Sequence, residues 1–319
     1  MESRNTGYLP QLDHLRFFAA ALVVVFHTLL AMPAPDGTAF RVPLFEQGHV
    51  GVQLFMVISG FILGVITRDR VISPKKFYLN RILRIYPLLT VVVALSYFAG
   101  SLENDGTIVR FLVALSPLSN LSRTSYGPFA EQAWSIAVEL QFYLLLPALL
   151  VFRRRYGASY YLFLVLLLVF LRAGVFLTTS TVHAMSFFTI FGGLDLFIVG
   201  LFVGETFSQI KIKRPAFVFL AALLVVNGLI YVAFLGNTFS HVRIPVTMLR
   251  NGQSTHWLWI FWPDILALLF ATLIVRKRST TPYKHSLTSY GVVMRGASQA
   301  HRVERDWAER APIVQCYSR

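Results

Sequence analysis

A single cysteine, Cys316, in 319 residues argues against a disulfide-stapled scaffold and against a cysteine-built metal site. Charge is scarce as well: Asp, Glu, Lys and Arg make up 14% of the chain, where an average soluble domain carries about 25%. So little charge does not wet a globule of this length, which argues against a soluble enzyme, a disordered tail or a fibrous repeat. No repeat of fixed period is visible, and no inverted duplication of the transporter kind. What the chain has in quantity is apolar surface, 55% hydrophobic residues with 28 Phe among them. The 29 basic and 15 acidic residues leave a formal net charge of +14. The composition is that of an all-α polytopic membrane protein.

Eight apolar stretches approach the ~20 residues that a spanning helix needs: about 12–32, 48–67, 84–100, 133–152, 158–177, 186–204, 216–235 and 257–275. The first reads as an uncleaved helix, because Asp13 and Arg16 abut it, His27 interrupts it and no small-x-small cleavage site follows. The segment 107–119 contains Arg110 and Pro117 and reads as an interfacial or re-entrant piece. With these spans, Arg68, Arg70, Lys75, Lys76, Arg81, Arg84, Arg153, Arg154, Arg155, Lys211, Lys213, Arg214, Arg276, Lys277, Arg278 and Lys284 fall on one side. Only Arg41, Arg110, Arg123, Arg172, Arg243 and Arg250 fall on the other. The positive-inside rule then puts both termini in the cytoplasm. It also accounts for the net charge with no nucleic acid as partner.

Ionisable groups inside spans are costly and mark function or a water-filled cavity by default. In LDHLRFFAAALVVVFH, residues 12–27, Arg16 and His27 are eleven positions apart. Eleven helical steps return to nearly the same face, ~16 Å further along the axis. Asp13 lies one turn before Arg16 and is placed to pair with it. Histidine is the side chain best suited to accept and return a proton near neutral pH, although helix packing is the bland account of His27 and snorkelling that of Arg16. In RILRIYP, residues 81–87, Arg81 and Arg84 share a face at a cytoplasmic entrance. Two guanidinium forks suit a phosphate-rich ligand, and plain topology is the competing explanation. In WSIAVELQFYLLLP, residues 134–147, Glu139 stands inside a lipid-compatible helix with Ser135 and Tyr143 one turn away on either side. Trp134 and Tyr143 also suit an interfacial aromatic belt. Asp195 is a further intramembrane acid without an evident partner. Gly51, Gly60 and Gly64 read as helix-packing positions.

These four blocks, LDHLRFFAAALVVVFH, GVQLFMVISGFIL, RILRIYP and WSIAVELQFYLLLP, taken in order over residues 12–147, resemble the type-three membrane acyltransferase family. That family includes O-acetylases of bacterial surface polysaccharides. Residues 148–275 are similar to it in hydropathy and, loosely, in FGGLDLFIVGLFVG. The resemblance implies a helical bundle of about ten spans and transfer of an acyl group, usually acetyl from acetyl-CoA, to a sugar hydroxyl. It assigns catalysis to Arg16, His27 and Glu139, and acyl-CoA binding to Arg81, Arg84 and Tyr86. Asp13, Trp134, Ser135 and Tyr143 become acceptor or supporting residues. His14, Gln53 and Leu140 depart from residues common in the family, which bears on the acceptor pocket and not on the class.

The expected arrangement is a transmembrane acyltransferase domain over 1–278 and a polar cytoplasmic tail over 279–319. The tail contains no spanning segment where the resemblance implies a final helical hairpin. A truncated or frame-shifted ending and a short cytoplasmic extension both remain open. The expected partners are acyl-CoA as donor substrate, a carbohydrate acceptor and the lipid bilayer, with no bound cofactor, no metal and no nucleic acid. The expected location is the bacterial inner membrane. His27 is expected to deprotonate the acceptor hydroxyl while Glu139 orients or charge-balances the imidazole. A lipid or sugar transporter and a non-catalytic relative are the alternatives.

Overall fold

The computed structural model describes residues 10–31, 48, 50–68, 73–100, 108–121, 133–207, 217, 220–221, 224 and 257–276. The chain divides into two compact units, Met1–Ser279 and Thr280–Arg319. The second unit, and with it the expected tail, lies outside the described residues.

Among the described residues every regular element is a helix. They are α1 (Pro10–Ala31), α2 (Val50–Thr67), α3 (Pro74–Gly100), α4 (Ile108–Ala114), α5 (Trp134–Tyr156), α6 (Ser159–Thr179), α7 (His183–Phe188), α8 (Ile190–Thr206) and α9 (Trp262–Arg276). Short 3-10 turns at Ser119–Leu121 and Trp257–Ile260 precede α5 and α9. Four helices, α2, α3, α5 and α6, are long and apolar enough to cross a membrane.

The remaining expected spans meet the structure unevenly. The first coincides with α1. The third starts earlier than its apolar run, at Pro74, where a proline suits the first helical turn because its missing N–H has no partner there. The sixth, 186–204, is two helices and not one. Thr189 is extended (φ −118, ψ 166) and its hydroxyl accepts from the backbone N–H of Phe191 at 3.2 Å, capping α8. The eighth becomes a 3-10 turn followed by the 15-residue α9. The span 216–235 lies almost wholly outside the described residues. Segment 107–119 forms the seven-residue α4 and a run of turns, too short to cross.

The centre of the bundle is the pair α2 and α8, which meet along a seam of glycines. A Cβ added at Gly60 would lie 2.2 Å from the Phe197 carbonyl oxygen, and one at Gly64 2.2 Å from that of Leu201. The relation is reciprocal, since a Cβ at Gly200 or Gly204 would lie 2.2 Å from the carbonyl of Val57 or Phe61. Only glycine permits backbones to approach so closely, and four-residue spacing keeps these positions on one helix face. Gly51 does the same for α1, against the Ala19 carbonyl at 2.4 Å. The stack of Phe142 on Phe197, 4.1 Å between ring centroids, fastens α5 to α8.

α3, packed on α4 and α5, and α6, packed on α5 and α8, turn apolar side chains outward, among them Leu83, Leu88 and Phe98 on α3 and Phe163, Phe170 and Leu177 on α6. Exposed apolar rows of this kind are the lipid face of a membrane helix. α5 ends in Arg153, Arg154 and Arg155, cations that complement the helix dipole, and its chain reverses at Gly157 with φ 78.

Candidate functional site

α1 buries Leu12, Leu15, Ala19, Leu22 and Phe26, a stripe at alternating spacings of three and four. Arg16, Val23 and His27 flank one edge of that stripe and are half-buried. The helix is unbroken from Pro10 to Ala31, so Arg16 and His27 share a face, ~16 Å apart along the axis. Arg16 pairs with Asp13 at 3.1 Å. Nδ1 of His27 lies 2.8 Å from the carbonyl oxygen of Val23, one turn back. A carbonyl oxygen only accepts, so Nδ1 is the donor in this contact, and Nε2 makes no hydrogen bond among the described residues. Phe26 meets the imidazole edge-to-face at 5.2 Å.

The second assembly joins α2, α3 and α5. Oε1 of Glu139 accepts from Ser59 Oγ at 3.2 Å and also from the Tyr143 hydroxyl. The guanidinium of Arg81 lies over the Tyr143 ring, 5.0 Å from its centroid, and 5.4 Å from that of Phe77. Such a cation over an aromatic face is held by the ring quadrupole. Nε of Arg81 is buried and makes no hydrogen bond among the described residues. Tyr78 ties the same two helices through a hydroxyl bond to the Leu144 carbonyl at 3.2 Å. Arg84, one turn beyond Arg81, is exposed, and Tyr86 is half-buried. Arg81 therefore does not sit at a helix end. It lies beside Tyr143, ten positions and ~15 Å along α5 from Arg153.

Among the described residues Glu139 and His27 make no contact with each other. Phe26, beside His27, packs where a Cβ at Gly48 would lie 2.7 Å from its own Cβ. Ser59, which holds Glu139, lies nine residues into α2. The partners of Glu139 are Ser59 and Tyr143. Trp134, at the start of α5, packs on Phe187 and Phe188 of α7 at 5.2 and 5.0 Å. Ser135 follows it, half-buried. Near that end Gln141 donates to the Pro117 carbonyl and to Asn120 Oδ1, at 2.7 and 2.9 Å.

A third cluster went unread in the sequence. Arg172, which charge counting had assigned to an outer loop, is inside α6 and 0% exposed. It donates through Nε to the Ile260 carbonyl at 2.7 Å, through Nη1 to the Phe191 carbonyl at 2.7 Å and to Asp195, and through Nη2 to Asp264 at 2.6 Å. Asp195 thus has its partner. The available signal was an arginine in the middle of the apolar run LLLVFLRAGVFL, which is the wrong place for a loop. Ser59 was also missed, because VISGFILG invites attention to its glycines. Among the described residues no three His, Cys, Asp or Glu side chains converge as a metal site.

Helices that present apolar residues outward and hold paired or half-paired charge within define an integral membrane protein with a polar interior. The chain belongs to the type-three membrane acyltransferase family: residues 9–292 match the family described as "Acyltransferase domain". A Staphylococcus aureus (strain COL) protein named provisionally as an O-acetyltransferase is 25% identical over 167 residues, 46% of this chain and 26% of its own length. The acyltransferase MdmB of Streptomyces mycarofaciens is 32% identical over 152 residues, 44% of this chain and 38% of its own. An uncharacterised Haemophilus influenzae protein is 34% identical over 152 residues, 42% of this chain and 61% of its own. The match thus spans about a quarter of the length of the staphylococcal relative. No solved structure matches the chain.

Proposed function

We propose that the protein is an O-acyltransferase of the bacterial inner membrane. It moves an acyl group, acetyl in the first instance, from cytoplasmic acyl-CoA to a hydroxyl of a cell-envelope or exported carbohydrate. Family membership and the name of the Streptomyces relative support acyl transfer, and the name of the staphylococcal relative supports an O-linked product. The basic residues counted in the sequence support cytoplasmic termini and a donor that arrives from that side.

The observation that carries the reading is His27. Its Nδ1 donates to a backbone carbonyl, its Nε2 makes no hydrogen bond among the described residues, and Arg16 lies on the same face ~16 Å away, the scale of an extended pantetheine arm. The acceptor oxygen attacks the thioester carbonyl carbon as its proton passes to Nε2. The carbon–sulfur bond then breaks, and the proton is returned to the departing thiolate. Arg81 and Arg84 hold the donor's phosphates, and Tyr86 lines the same entrance. Trp134 and Ser135 stand toward the acceptor, and Asp13 holds Arg16 in place.

The test is coenzyme A release by purified membranes given acetyl-CoA and an acceptor polysaccharide, together with the ester content of envelope polysaccharide with and without the gene. His27→Ala is expected to abolish transfer while leaving protein level and donor affinity nearly unchanged. Retained turnover within about tenfold, ~1.4 kcal/mol in barrier, overturns His27 as the base.

A further inference from the structure

Ser59 lies midway along α2, nine residues from Val50 and eight from Thr67, or ~14 and ~12 Å at helical rise. Glu139 therefore has its carboxylate deep within the bundle, where an ionised group needs partners or a polar passage. One oxygen, Oε1, takes both hydroxyls, of Ser59 and Tyr143. The other, Oε2, accepts from none of the described residues. The arrangement fixes the carboxyl group and leaves its second oxygen open among the described residues. Among the described residues that acceptor makes no contact with the imidazole, whose one hydrogen bond is to the Val23 carbonyl. The acceptor belongs to the carboxylate that Tyr143 hydrogen-bonds, and the Tyr143 ring carries the Arg81 guanidinium at 5.0 Å.

We propose that Ser59 and Tyr143 position Glu139 so that its Oε2 receives an amide N–H of the pantetheine arm of the acyl donor. The proposal rests on the acyl-CoA reading above. A pantetheine arm has two amide groups, and each N–H that leaves water for the bundle interior needs an acceptor. An ionised carboxylate is the strongest acceptor a protein offers. Arg81 at the phosphate end and Glu139 a turn beyond it then grip successive parts of one ligand, with the thioester carried onward to His27. Ser59 and Tyr143 are positioning residues, and Tyr143 serves both grips, Arg81 through its ring and Glu139 through its hydroxyl.

The experiment uses the full-length protein in membranes and two donors, acetyl-CoA and S-acetylpantetheine, which keeps the arm and lacks the phosphates. Glu139→Gln is expected to raise KM for both donors by a similar factor, fivefold or more, with a smaller change in kcat. Arg81→Met is expected to raise KM for acetyl-CoA alone. Tyr143→Phe keeps the ring and removes the hydroxyl, so it should follow Glu139→Gln, whereas Tyr143→Leu should add the Arg81 effect for acetyl-CoA. Ser59→Ala should raise both KM values about threefold, and Ser59→Thr should restore them. These conservative variants keep the test alive if Glu139→Gln fails to accumulate. A Glu139→Gln enzyme with unchanged donor KM, a kcat reduced a hundredfold and a displaced pH profile places Glu139 at the imidazole and overturns the proposal. Unchanged kinetics in Ser59→Ala and Tyr143→Phe also overturn it. Wild-type protein that consumes neither donor overturns the acyl-CoA reading itself, and this proposal with it.

Discussion

Arg172 and Arg81 are both arginines inside the bundle, and they are satisfied in opposite ways. Arg172 is 0% exposed and spends its donors on two carboxylates and two carbonyl oxygens drawn from α8, α9 and the turn before α9. Arg81 lies over two aromatic rings, with Nε buried and unbonded among the described residues. Near it Glu139 has one oxygen committed and one open. In the first cluster the cation is matched by protein acceptors, and Asp195 Oδ1 and Asp264 Oδ1 are buried without a hydrogen bond among the described residues. In the second, Arg81 Nε is buried without a hydrogen bond among the described residues, the open valence on which the proposed donor site rests. Intramembrane charge is costly in both places: the first leaves two carboxylate oxygens unbonded around a matched cation, the second a cation with an unbonded nitrogen.

Removing the cation from each cluster is the strongest way to break this comparison. Arg172→Met leaves two carboxylates facing each other, and loss of one member of a buried ion cluster costs roughly 3–5 kcal/mol. The expected outcome is a large fall in the melting temperature in detergent, or failure to accumulate. Arg81→Met should shift the same melting curve far less, by about 0–1 kcal/mol as for a partly exposed pair. Equal losses would show that the two clusters are not different in kind. A smaller effect separates packing from charge. Gly60→Ala puts a methyl where the Phe197 carbonyl sits and should cost about 1–3 kcal/mol, read in the same melt. Because Ser59 is the neighbouring residue, donor KM should rise along with it. The smallest effect sharpens the closed cluster. Asp264→Asn leaves one carboxylate for one guanidinium and keeps an acceptor for Nη2, so its melting should fall by less than about 1.5 kcal/mol, the net worth of an ordinary hydrogen bond. A loss as large as that of Arg172→Met would mean that both negative charges are required.

The sequence made the face of α1 legible because eleven residues on a helix obey a fixed rotation, and nothing from outside the helix is needed to place Arg16 and His27 together. Glu139 and Asp195 were legible as anomalies, acids in apolar runs. Their partners were not. Ser59 is 80 residues from Glu139, Asp195 is 23 from Arg172, and Asp264 is 92 from it. Such pairings are decided by how helices dock, for which one chain carries no periodic signal. The same limit placed Arg172 outside the bundle, since counting charges by side treats every arginine as a loop residue. The break between α7 and α8 was hidden by the continuous apolar run MSFFTIFGGLDL, although a threonine at 189 is a fair helix cap.

The glycine seam has a consequence for the order of assembly. Gly60 and Gly64 meet partners made roughly 140 residues later, and at 5–20 residues per second a ribosome takes about 7–28 s to supply them. Through that interval α2 is in the membrane with its small-residue face uncovered. Any helix offering a similar row is a competitor for it, so arrival of α8 is the step at which a nascent chain commits to its own partner over a neighbour's.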